Sequence, residues 1–253
     1  MIHYFKVMAH FYKMVLFDDG KEWEEYSRQY PDRVSKAVAD IEDRLKDGKS
    51  PIECFSEGVE YVRRSLTGRH RQYLIVRRLI YLLTGKEKSR VLDFGCGVGN
   101  AGMLFAHAGF DVDLLDVEGV ITDFLKWRVD RHFLKCRMNQ DSPLGRYDLV
   151  VMFNVLEHLE RPLAVLKRIT KSLDAGGYFL FSFSTAFSGL DIVSQSTFDK
   201  KLMPYILDKY VAVNKPDLEW GAKSKDVYFP QMLYRKRGGH KKFLDRWASV
   251  RFT

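Results

Sequence analysis

The chain has 253 residues, 46% of them hydrophobic and 14% aromatic, and a net charge of +8. That length buries one full core plus an accessory segment, and this apolar content excludes a mainly disordered protein. The three cysteines, Cys54, Cys96 and Cys136, lack close paired spacing, which excludes a disulfide framework and a zinc finger and sets reduced, cytoplasmic chemistry as the expectation.

The first seventeen residues, MIHYFKVMAHFYKMVLF, are apolar and aromatic but interrupted by His3, Lys6, His10 and Lys13. No small-residue cleavage site follows a continuous apolar run, so neither a signal peptide nor a membrane span is expected. Residues 1–85 read as a mostly helical cap, with breaks at Gly20, Pro31, Gly48 to Pro51, Gly68 and Gly85. Charge divides this region sharply. Residues 18–60 hold thirteen acids and seven bases, whereas residues 61–90 hold nine bases and one acid. A second basic block, residues 231–251, has seven bases and one acid. Such blocks attract phosphorylated, carboxylated or polynucleotide ligands. They are equally the solvated faces of ordinary helices, and Tyr73, Val76, Leu79, Ile80 and Leu83 recur at helical spacing. Contact between the basic and acidic segments is a third reading.

Residues 86–253 read as one cofactor-binding domain. Val91, Leu92 and Phe94 form an apolar strand with Asp93 near its carboxyl end, followed by Gly95, Gly97 and Gly99 and then a helical stretch, residues 100–108. Glycines here let the backbone turn tightly against a ligand, and the helix that follows turns its free amides toward it. Phe110 to Val117 is a second strand ending at Asp116, twenty-three residues after Asp93, where a carboxylate for a ribose diol belongs in a βαβ unit. A buried strand is predicted at Leu149–Phe153, followed by Asn154 and by Glu157-His158 at the start of a helix. A Gly176-Gly177 turn leads into an aromatic strand. Beyond an aperiodic loop after Ser184, a helix is predicted over Phe198–Tyr210, a short strand at Val211–Val213 and a last strand at Val227–Tyr234. The fold class is therefore α/β.

Four ordered elements within roughly Ser89 to Thr185 carry a family resemblance: Asp93-Phe94-Gly95-Cys96-Gly97-Val98-Gly99, the strand-end Asp116, Tyr147 to Val151 running into Val155-Leu156-Glu157-His158, and Leu173-Asp174-Ala175-Gly176-Gly177. Together they make the chain resemble the class I S-adenosylmethionine-dependent methyltransferases, in particular the small-molecule group with a V-L-E-H segment. Dinucleotide dehydrogenases space their glycines differently. The resemblance implies a doubly wound, seven-stranded, mostly parallel sheet with a helical N-terminal extension, and S-adenosylmethionine as cofactor.

The resemblance also implies roles. Gly95, Cys96 and Gly97 would lie along the amino-acid part of the cofactor, with Asp93 holding the loop. Cys96 is a packing residue, since no neighbour activates its thiol. Asp116 would accept the ribose hydroxyls and Val117 would pack the adenine. For the adenine amino group Asn139 is the choice, with a Met138 backbone contact or Asp141 as alternatives. Asn154 faces the meeting place of cofactor and acceptor. His158 is the candidate base, weighed against a positioning role because methyl transfer needs alignment more than a base. Ser184, Thr185, Asp191, His70 and Tyr73 are further candidates.

Absences narrow the acceptor. No N/D-P-P-Y/F/W follows the fourth strand, no strand-end Pro-Cys or Thr-Cys offers a nucleophile for cytosine, and no histidine and carboxylate set has metal-ligand spacing. The expectation is metal-independent methyl transfer to O, N or C of a small, anionic metabolite. The alternatives are an RNA- or nucleotide-directed methyltransferase using the two basic blocks and, from another class, a cofactor-binding protein without catalysis.

Overall fold

The computed structural model describes residues 20–46, 76, 79–80, 83, 89–139, 145–183, 193–213, 222–224, 227–229 and 231–238. His70, Tyr73, Asp141, Ser184, Thr185, Asp191 and most of both basic blocks lie outside them.

Seven strands form one sheet: β1 Arg90–Phe94, β2 Asp111–Leu115, β3 Cys136–Asn139, β4 Tyr147–Phe153, β5 Leu173–Ser182, β6 Tyr210–Ala212 and β9 Gln231–Lys236, in the order β3-β2-β1-β4-β5-β9-β6. The first five are parallel, and β9 runs antiparallel to both its neighbours. The seven-stranded, mostly parallel sheet expected from the sequence is thus present, with helical segments N-terminal to it.

Both faces of the sheet are covered, which is why β4 reads as an unbroken apolar run. One face packs Val91, Val112, Leu114, Leu149 and Val151 against α3 Asn100–His107 and α4 Val120–Arg131. Val76, Leu79, Ile80 and Leu83 are buried in this same cluster, so the apolar positions read at helical spacing in the first basic block face inward. The other face packs Leu92, Val150, Met152, Phe179 and Phe181 against α5 Pro162–Ser172, the π-helical turn Phe198–Leu202 and α6 Met203–Lys209. A third cluster joins the N-terminal helix α1 Lys21–Gln29 to α4: Trp23 and Tyr26 pack on Val98, Val120, Ile121 and Phe124. Helix α2, Pro31–Lys46, follows α1.

Near the β3 edge the second face is charged. Only seven residues, 140–146, join β3 to β4, fewer than a crossover helix with its loops requires. Asp113, 1% exposed, instead takes hydrogen bonds from Arg90 Nη2 at 3.0 Å, Arg137 Nε at 2.5 Å and the Tyr147 hydroxyl at 2.7 Å. A buried carboxylate of this kind requires such partners.

Several boundaries differ from the sequence reading. Leu156–His158 is a single 3-10 turn, and helix α5 begins only at Pro162, whose missing amide and fixed φ suit a first helical turn. Glu157-His158 therefore does not open a helix. The Gly-Gly pair lies inside β5, where the ladder to β4 shifts register between Tyr147 and Leu149. A Cβ on Gly177 would lie 3.0 Å from the carbonyl oxygens of Asp148 and Asp174. The strand expected at Val211–Val213 runs Tyr210–Ala212. The single strand expected at Val227–Tyr234 is two: Val227–Phe229 (β8) pairs with Ala222–Ser224 (β7) in a separate ribbon, and β9 joins the main sheet. Pro230 stands between them and has no amide to continue a ladder.

Candidate active site

The strand order reverses direction between β1 and β4, and ligands of open α/β sheets bind at the carboxyl ends of the strands beside such a switch point. The candidate residues Asp93 to Gly97, Asp116, Val117 and Asn154 converge there, at the ends of β1, β2 and β4.

The turn after β1 uses its glycines at positive φ: 67° at Gly95, 54° at Gly97 and 80° at Gly99. The amides of Gly95 and Cys96 both donate to the Leu115 carbonyl, at 2.8 and 3.1 Å, which ties the turn to the end of β2. A Cβ on Gly95 would lie 2.4 Å from the Val155 side chain, so the loops after β1 and β4 meet at a point that only glycine permits.

Asp116 holds the turn from the other side. Its Oδ2 accepts the Gly97 amide at 2.5 Å and its Oδ1 accepts the Val117 amide at 2.8 Å. Burial pushes its carboxyl above the usual range, and the two amides oppose that shift. Val117 beside it is 58% exposed, an apolar surface open at the strand tip. Asp93, 3% exposed, accepts the Gly102 amide at 2.7 Å and so fixes the first turn of α3. Burial pushes Asp93 to about 7, with the Asp116 carboxylate adding to the rise and Gly102 opposing it. Burial, with both carboxylates nearby, drives the Cys96 thiol well up, which keeps it neutral and matches a packing role.

At the end of β4, Asn154 adopts the left-handed region at φ 54°. The Ser182 hydroxyl donates to its Oδ1 at 2.6 Å and accepts its backbone amide at 3.0 Å. The Nδ2 of Asn154 is buried without a hydrogen-bond partner among the described residues. His158 lies a turn further on, half-buried, its amide donating to the Val155 carbonyl at 3.0 Å. Met138 is half-buried, packed against the core under β3, and Asn139 ends that strand opposite Leu115.

Three contributors escaped the sequence reading. Ser182, fully buried, orients Asn154. Gly102 lets α3 approach the sheet, since a Cβ there would lie 2.1 Å from Leu114. Arg128, fully buried, holds the loop through Val98 and Asn100. The one usable signal was for Arg128, which falls on the apolar stripe Ile121, Phe124, Leu125, where a charge requires partners.

A glycine turn at a switch point, a carboxylate on the next strand tip and a polar residue closing the third loop form a candidate nucleotide-cofactor site on a doubly wound sheet. Comparison with known proteins makes the class specific. A sequence family described as a methyltransferase domain matches residues 67–246, and the chain belongs to that family, of the class I type that uses S-adenosylmethionine. The ubiquinone biosynthesis O-methyltransferase of Pectobacterium atrosepticum is 31% identical over 107 residues, covering 37% of this chain and 42% of that protein. The putative methyltransferase YqeM of Bacillus subtilis is 27% identical over 121 residues, covering 44% and 49%. The chain thus spans less than half the length of these curated relatives. Among solved structures, the N-methyltransferase NodS from Bradyrhizobium japonicum in complex with S-adenosyl-L-homocysteine superposes with a TM-score of 0.57 at 18% identity, covering 74% of this chain and 97% of that one. The magnesium protoporphyrin IX methyltransferase from Synechocystis with bound S-adenosylhomocysteine gives 0.53 at 18% identity, covering 71% and 89%. These likenesses establish the class I methyltransferase fold. No helix among the described residues is long and apolar enough to cross a membrane.

Proposed function

We propose that this chain binds S-adenosylmethionine across the carboxyl ends of β1, β2 and β4 and transfers its methyl group, without a metal ion, to O, N or C of a small, anionic metabolite. The observation that carries the reading is the joint between Gly97 and Asp116, which places a ligand-sized backbone turn and a ribose-type carboxylate in one hydrogen-bonded unit. Gly95, whose missing Cβ leaves room against Val155, lines the amino-acid end of the cofactor with Cys96 and Gly97. Asp93 holds α3 below them, Asp116 takes the ribose hydroxyls, Val117 offers apolar surface to the adenine, and Met138 and Asn139 bound its edge. Asn154, with a buried amide donor to spare, serves the cofactor or the acceptor.

When bound, the cofactor supplies a methyl group already activated on a sulfonium, so the protein's task is to align the acceptor and exclude water. His158 stands beyond the same strand end as the residue to take a proton from the acceptor. Residues 1–85 form the cap that selects the acceptor, a reading supported by the buried cluster that α1 shares with Val98 of the glycine turn. The positive net charge favours an anionic acceptor. The ubiquinone biosynthesis O-methyltransferase named above supports a small-molecule acceptor. The free thiols of Cys96 and Cys136 suit the cytoplasm.

Calorimetric titration with S-adenosylmethionine, S-adenosylhomocysteine and NAD tests the first step. Binding of both adenosyl ligands and no NAD is expected, and binding of NAD alone would overturn the assignment. Incubation of the protein with labelled methyl donor and a cell extract then tests the second. Label in a small, anion-exchange-retained product is expected, whereas label in nuclease-sensitive material would transfer the reading to a nucleic-acid acceptor.

A further inference from the structure

The acidic N-terminal segment makes its buried contact with the cofactor domain. Glu22, near the start of α1, is 4% exposed, and Arg128 on α4 is fully buried. Arg128 Nε donates to Glu22 Oε2 at 2.6 Å. The same guanidinium reaches the glycine turn: its Nη1 donates to the Val98 carbonyl and, at 2.9 Å, to Asn100 Oδ1. Val98 and Asn100 flank Gly99, the point at which the turn becomes helix α3. His132 Nε2 meets the other oxygen of Glu22. Burial raises the Glu22 carboxyl, but His132 and Arg128 outweigh it and hold the group below its usual value, so the side chain is an anion in the fold.

A salt bridge that merely fastened α1 to the domain would need only α4 and α1. Here one buried cation is shared between the cap and the turn that shapes the cofactor site. Glu22 meets the Arg128 charge at Nε while Nη1 serves the neutral oxygens of the turn, so loss of Glu22 withdraws a buried counter-charge from the guanidinium that holds the turn. Trp23 and Tyr26, on the same face of α1, belong to the buried cluster that also holds Val98. Anything that lifts α1 therefore withdraws packing from the turn and a counter-charge from the arginine that holds it.

We infer that Glu22 and Arg128 are positioning residues for the cofactor-binding turn, so that docking of α1 and binding of S-adenosylmethionine are one coupled event. This rests on the reading that the turn holds the cofactor. Linkage is reciprocal: a docked α1 raises cofactor affinity, and bound cofactor holds α1 down.

Hydrogen exchange on the unmodified full chain, with and without S-adenosylhomocysteine, tests this independently of any variant. Slower exchange is expected in residues 21–29 together with residues 95–103. Protection confined to 95–103 overturns the coupling. In solution, Glu22→Gln is expected to weaken S-adenosylhomocysteine binding by about 5- to 150-fold, the usual range of a coupling between sites. The double variant Glu22→Gln/Arg128→Met, which removes the buried cation together with its counter-charge, is expected to regain thermal stability but not affinity, a separation that a purely structural ion pair would not produce. Asp116→Ala serves as the reference. Normal affinity in Glu22→Gln beside weakened binding in Asp116→Ala overturns the coupling alone. Full affinity in both overturns the turn assignment and the coupling with it.

Discussion

Asp93 couples the stability of this protein to pH in an unusual direction. Its carboxyl titrates at 3.8 in the unfolded chain and at about 7 in the fold, because burial disfavours the anion more than the single Gly102 amide favours it, and Asp116 adds repulsion. Between these values the native state holds a proton that the unfolded chain has released, so stability falls as pH rises through this window and levels off above it. A gap of roughly three units at about 1.36 kcal/mol each gives an upper bound near 4 kcal/mol. Asp93→Asn cannot ionise, yet its Oδ1 still accepts the Gly102 amide. Urea unfolding of both proteins, followed by tryptophan fluorescence from pH 4 to 8, reads the effect, since titrating groups remote from Asp93 cancel in the difference and Asp116 is the neighbour coupled to it. The two curves are expected to lie close near pH 4 and to separate as pH rises, the variant becoming the more stable by up to about 4 kcal/mol at pH 8. A difference that does not change with pH, or that favours the wild type increasingly toward pH 8, would refute the argument.

Other substitutions probe separate parts of the structure. Gly95→Ala places a Cβ 2.4 Å from Val155 at φ 67°, and a loss of about 2–4 kcal/mol is expected in thermal or urea unfolding, partly recovered by adding Val155→Ala. Asp116→Ala should weaken S-adenosylmethionine binding in calorimetry by about 1–3 kcal/mol, the scale of a lost hydrogen bond to a charged group. His158→Asn is expected to slow methyl transfer by about 100-fold or more while leaving cofactor affinity in place, and an undiminished rate would reduce His158 to a positioning role. Phe133, 93% exposed at φ 52°, makes a left-handed turn with a side chain that gains nothing from it, so Phe133→Gly should raise stability by about 0.5–1 kcal/mol in urea melts.

What the sequence revealed and what it hid have physical reasons. The strand-turn-helix from Val91 to His107 was legible because apolar run, glycine spacing and helical periodicity all agree locally. Asp116 was legible because a βαβ unit fixes its distance along the chain. The Leu156–His158 turn reads as a helix start because three residues of 3-10 and α-helix look alike, and Pro162 is the stronger signal. The split at Pro230 was written in the chain, but the apolar runs on both sides of it read as one strand. The partners of the acidic segment were hidden for a different reason: Glu22 and Arg128 are 106 residues apart, and no local pattern specifies which of many charges will meet. Ser182 was likewise one hydroxyl in an aromatic strand until β4 and β5 were paired in register.

The position of β9 has a consequence for how the protein is made. This strand is the last of the sheet to be synthesised, yet it inserts between β5 and β6, both made earlier. Until Gln231–Lys236 has left the ribosome, β5 has no partner on that side and β6 has no place in the sheet, while the buried ring of Phe181 lacks Tyr234, which stacks on it at 5.8 Å from the incoming strand. The nascent chain therefore carries an open, aromatic strand edge through roughly fifty further residues of translation, the kind of surface that recruits chaperones or pairs with a neighbouring chain. A message truncated before the codon for Gln231 would yield a polypeptide with the residues of the glycine turn and an unfinished sheet, destined for aggregation or proteolysis rather than partial function.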